Sequence, residues 1–134
     1  MKNIDIVVPV ISARYDELTP VQQKLVDDAR SATARSYAPY SHFNVGAAIL
    51  LSDGSIVTGA NHPDARFEKI AIAALGTDGE EVEQPIPPCG ACRQALLEYE
   101  KLAGHDVEVL LAGRDAIYIL PSVSSLLPLS FSSF

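Results

Sequence analysis

The tightest constraint on the fold is a connection that is too short. Apolar, β-type runs at Phe43–Leu51 and Ser55–Gly59 flank the turn Ser52-Asp53-Gly54, which is a hairpin signal. A third run, Lys69–Leu75 (Lys-Ile-Ala-Ile-Ala-Ala-Leu), reads as a buried strand. Between Asn61 and Lys69 stand the seven mostly polar residues His62-Pro63-Asp64-Ala65-Arg66-Phe67-Glu68, and no helix. Parallel strands of one sheet need a crossover of about a dozen residues or more, so the sequence looks cut at this point. A loop and one crossover helix, roughly two dozen residues by the same rule, are expected to be absent between Asn61 and His62.

The other elements are conventional. Thr19-Pro20-Val21-Gln22 reads as a helix start, with Thr19 as N-cap, proline at the first helical position and Gln22 closing a capping box. Val21, Leu25, Ala29 and Ala32 then share one face of a helix expected to reach about Ser36. Ile4–Ile11 reads as an edge strand interrupted by Pro9. Gly76–Pro88 reads as a loop, and Cys89 to about Leu102 as a helix with Leu96, Leu97 and Tyr99 inward. Val107–Ala112 and Ala116–Leu120 are two more strands, and Ser122–Leu127 a short helix. Strands alternating with helices after a hairpin predict an α/β sandwich around one mixed sheet, in a single domain spanning residues 1–134.

Charge narrows the partners. The chain carries a net charge of −7 with only ten Lys and Arg, which argues against a nucleic-acid partner and is compatible with a small neutral ligand. No apolar run reaches the ~18 residues that span a bilayer, and the start lacks the apolar stretch of a secretory leader. The two cysteines, three apart, form no disulfide framework, so a cytoplasmic protein with reduced thiols is expected. A mean hydropathy of +0.15 fits a protein that buries part of its surface in an oligomer.

Those cysteines carry the chemistry. Pro88-Cys89-Gly90-Ala91-Cys92-Arg93 sets two thiols at i and i+3 at a helix start, where one point receives both sulfurs. The helix N-terminus favours thiolate, the form that binds a soft cation. Taken alone, the pair could be a redox couple, half of a structural zinc site completed among His42, His62 and His105, two core cysteines, or half of a catalytic zinc site.

The surrounding segments favour the last reading. Pro88–Cys92 matches the second half of the zinc-deaminase signature, His-x-Glu followed by Pro-Cys-x-x-Cys. Tyr37–Ala48, Gly59-Ala60-Asn61, Cys89–Leu97 and Leu126–Phe131 resemble, in order, segments of the small zinc-dependent cytidine deaminases that act on free nucleosides. The resemblance implies a three-layer α-β-α sandwich with about five strands, one Zn2+ per subunit and a homotetramer. It makes Cys89 and Cys92 zinc ligands, places Phe43 against the pyrimidine and Asn61 on the ribose, and lets Phe131 reach a neighbouring subunit's site. Arg93 would help offset the charge of the sulfurs. The implied reaction is hydrolysis of cytidine or deoxycytidine to the uracil nucleoside by zinc-bound hydroxide, as in pyrimidine salvage. A blasticidin-type deaminase and an inactive zinc- or nucleoside-binding module share the framework. The family continues after the asparagine with an acidic residue and then Cys-Ala-Glu or His-Ala-Glu opening a helix, and this chain does not. His62-Pro63-Asp64 only imitates that motif, since no helix comes after it. The catalytic residue is therefore unknown in the sequence as it stands.

Overall fold

In a computed structural model the chain forms one six-stranded sheet with a helix on each face. The structure describes residues 1–33, 44–58, 66–76, 78–88 and 90–129. The strands are β1 (Ile11–Ala13), β2 (Asn44–Leu51), β3 (Ile56–Val57), β4 (Phe67–Leu75), β5 (Glu108–Ala112) and β6 (Ile117–Leu120). The helices are α1 (Pro20–Ala32) and α2 (Gly90–Ala103), with 3-10 turns at Tyr15–Glu17 and Val123–Leu126. The sheet order is β1-β6-β5-β4-β2-β3, and only β4 and β5 are parallel neighbours. The expected three-layer mixed architecture is present, with β1 as a sixth strand beyond the expected five.

Alternating side-chain size along the central strands sets the two layers. Gly46 and Ala48 of β2, Ala71 and Ala73 of β4 and Ala112 of β5 turn one way, and these small residues let α1 lie close. Leu25, Val26 and Ala29 fill the space. A Cβ on Gly46 would strike Ala29 O and come within 2.5 Å of Thr33 N, so glycine is required there for packing. Large residues turn the other way: Ile49, Ile70, Ile72, Val109 and Leu111 meet Leu97 of α2, Val123 and Leu126.

Several local expectations shift in detail. The capping box forms as read: Gln22 N donates to Thr19 Oγ1 at 3.2 Å and Thr19 N to Gln22 Oε1 at 3.0 Å. However, α1 ends at Ala32 with Thr33 as its cap, and Val21 is exposed because the buried stripe runs through Leu25, Val26, Ala29 and Ala32. The N-terminal strand forms at Ile11–Ala13 and not over Ile4–Ile11, because β6 offers partners only to residues 11–13.

One buried carboxylate ties α2 to the C-terminal third of the sheet. Glu100, 6% exposed, accepts from Val107 N (2.8 Å), Val123 N (2.8 Å) and Ser122 Oγ (2.8 and 2.9 Å). It thereby joins α2 to the residue preceding β5 and to the Val123–Leu126 turn. Glu100→Gln, with its oxygen kept toward Val107 N and Val123 N, sets a donor where Glu100 accepts from Ser122 Oγ and should lower stability by about 1–3 kcal/mol. Urea unfolding will read this as a lower midpoint at unchanged slope.

Candidate metal and nucleoside site

The start of α2 is held by contacts distant in sequence. The loop 78–88 leading to it lies on the β5–β6 turn, where Arg114 N donates to Val82 O at 2.8 Å and Asp115 N to Glu83 O at 3.2 Å. Arg114 also pairs with Glu83 at 2.6 Å, and Arg30 of α1 with Glu81 at 2.8 Å. A Cβ on Gly113 would sit 2.7 Å from Glu83 O, so the loop can press this closely only against glycine. By local pattern 76–88 is an ordinary loop; its acidic residues and their arginines, 31 and 51 positions apart, are the one signal of the clamp.

Cys92 falls in the first turn of α2, as its spacing predicts, though its side chain is outside the described set. Cys89, Phe43, Asn61 and Phe131 lie outside the described residues, as do His42 and His62. Arg93 is described, and it points to backbone carbonyls: Nε donates to Pro88 O at 2.7 Å and an NH group to Leu126 O at 3.3 Å. It therefore straps the residue before Cys89 to the turn that leads into the C-terminal segment.

His105 is removed from the candidate ligands. It stands just beyond the C-terminal end of α2, beside Glu68 at 3.4 Å. The 14 residues of α2 place it ~20 Å from the helix start at 1.5 Å per residue. Among the described residues no three His, Cys, Asp or Glu side chains gather as a metal site. Cys92 is the one metal-binding residue type in the described first turn of α2. Zinc takes thiolate donors, and a catalytic site needs three protein ligands, so a cysteine here fits such a site in kind.

Beside α2 runs an apolar groove of about 250 Å³. Its floor is Val45, Ala47 and Ile49 of β2 with Ile70 and Ile72 of β4, and its walls include Leu96 and Tyr99. Tyr99 stacks on Phe67 with ring centroids 4.5 Å apart. Val45 is left 45% exposed at one end.

The comparisons with known proteins agree with this geometry. The family model described as the cytidine and deoxycytidylate deaminase zinc-binding region matches residues 19–103. The chain belongs to this family. It is 34% identical to a cytidine deaminase of Halalkalibacterium halodurans, covering 84% of this chain and 95% of that one. It is 32% identical to that of Sporosarcina psychrophila, covering 82% and 90%. The crystal structure of a cytidine deaminase from Burkholderia pseudomallei superposes with a TM-score of 0.63 at 27% identity, over 85% of this chain and 100% of that one.

The cytidine deaminase alignments are longer than the stretches of this chain that they cover. The first runs over 128 positions, yet 84% of 134 residues is about 113, so about 15 positions in total face no residue of this chain. The second, with 126 positions and 82%, leaves about 16.

Arg93→Met keeps the apolar stem and removes both carbonyl contacts. It should cost about 1–3 kcal/mol and speed hydrogen exchange in the first turn of α2, with the far end of the helix unchanged.

Proposed function

We propose that this chain is the framework of a hydrolytic deaminase for free cytidine or deoxycytidine, in which Cys89 and Cys92 hold a zinc ion whose third protein ligand belongs to a segment absent between Asn61 and His62. The observation that carries this reading is the position of Cys92 in the first turn of α2, within the family's matched region, beside an open apolar groove.

Topology supports the missing segment. β3 and β4 are both antiparallel to β2 and so parallel to each other, with nine residues (58–66) between them and β2 in the middle. The steps β3→β4 and β4→β5 move in the same direction across the sheet. Such connections are right-handed almost without exception, so both belong on the same face. That face holds α2, and a helix crossing from β3 to β4 would lie over β2, on Val45, Ala47 and Ile49. The groove is where such a helix would sit.

Each residue then has a stated task. The N-terminal dipole of α2 favours the thiolates of Cys89 and Cys92 as ligands. Arg93 holds the Pro88 carbonyl and with it the approach to Cys89. Phe43 stacks on the pyrimidine and Asn61 binds the ribose; Phe131 reaches a second subunit's site. When bound, zinc would lower the pKa of a water and supply hydroxide at neutral pH. Moving a proton to the ring nitrogen and the leaving amine requires a carboxylate, and the helix that would bring one is the absent element. The chain without it is a nucleoside-deaminase scaffold with half a metal site. The substrate is a free nucleoside, as in pyrimidine salvage in the cytoplasm; no described helix is long and apolar enough to cross a membrane.

The test is a graft. The part of the Halalkalibacterium halodurans cytidine deaminase that has no counterpart here, inserted between Asn61 and His62, should give one zinc per chain and conversion of cytidine to uridine. Cys89→Ser or Cys92→Ser in the grafted protein should remove both. A folded graft that binds no zinc with its thiols reduced overturns the reading.

A further inference from the structure

The N-terminal arm presents the largest run of exposed apolar side chains in the described structure, and the deaminase reading does not use it. Residues 1–10 form no secondary structure and are exposed throughout. Six of the eight residues from Ile4 to Ile11 are large and apolar, and those from Ile4 to Val10 are exposed from 38% at Val8 to 83% at Ile4. The arm also stands outside the region matched by the family, which starts at Thr19.

The pattern is that of a strand. An extended chain would set Ile4, Ile6, Val8 and Val10 on one face, and here these side chains are left between 38% and 83% exposed. The arm runs directly into β1, whose one neighbour among the described residues is β6, so β1 is an edge of the described sheet. A free edge next to an apolar strand-forming arm is a site for pairing with another chain.

We infer that this arm and the β1 edge form an interface with a second copy of the same chain, each arm adding as an antiparallel strand to the other copy's edge. Three observations select a second copy as the occupant. Arm and edge are contiguous, so a two-fold axis satisfies both at once. Ten extended residues reach ~33 Å, enough to run the length of the partner's edge. Charge gives the third. A chain of net −7 repels its own copy over most of its surface, but residues 3–13 carry one charged side chain, Asp5, and β6 carries none. Pro9 costs one rung of the ladder, which an edge strand tolerates.

The test compares the chain with the double variant I6D/V8D, which charges the half-exposed face of the arm. Sedimentation velocity across a concentration series should show the chain as a dimer or a larger even assembly, and the variant at a mass lower by at least about twofold, with its circular dichroism unchanged. Backbone amides of Ile6–Val8 should exchange at least about tenfold more slowly in the chain than the same amides in the variant. Equal masses for the two proteins, or equally fast exchange, overturn the inference. Assembly through the groove beside α2 gives equal masses and so counts against it. Neither readout involves zinc or turnover, so the result is independent of the deaminase reading.

Discussion

Three parallel strands are reached by two steps in the same direction across one sheet, and the handedness of such steps places both connections on one face. This constraint organises the molecule. The step from β4 to β5 obeys it through α2. The step from β3 to β4 must pass over β2, and nine residues cannot form a helix and return. A strand of two residues at β3 and an apolar channel over β2 both fit this shortfall.

The two faces of the sheet differ accordingly. Toward α1 the central strands offer mostly glycine and alanine, and the helix approaches closely. Toward α2 they offer Val, Ile and Phe, whose bulk calls for a thicker cover than one helix and a 3-10 turn provide. Burial of apolar surface contributes about 25 cal/mol per Å², so the open channel is stability the chain forgoes. Against this, α2 itself is firmly attached. The Glu100 carboxylate joins its last turns to β5 and to Ser122 and Val123, and the clamp of Arg30 and Arg114 on the loop 78–88 sets its start. A cysteine pair placed on this helix is held from both ends.

Much of this was legible in the chain. The capping box at Thr19, the hairpin around Asp53-Gly54, the order of strands and helices and the three layers come from local pattern. So does the short connection, which needs only a count of residues between two runs. Features that depend on distant partners were not legible. Val21 looks like a core residue by periodicity, but α1 turns it to solvent. Glu100 reads as a surface charge on a helix, and only the fold brings three donors to it. The Ile4–Ile11 run has the alternation of a strand, yet pairing is decided by where β6 ends. Of the candidate site, the structure gives the position of Cys92 in the first turn of α2 and the strapping role of Arg93; Phe43, Asn61, Cys89 and Phe131 lie outside the described residues.

The decisive property is the metal site, which we propose is incomplete in this chain. Competition for zinc between the purified, thiol-reduced 14.3 kDa protein and a chromophoric chelator measures that directly. A two-thiolate half-site should surrender the ion to the chelator, and the protein should leave cytidine unchanged. One zinc retained per chain against the chelator, together with conversion of cytidine to uridine, would mean that these 134 residues already contain every ligand and the proton carrier, and would contradict an incomplete site.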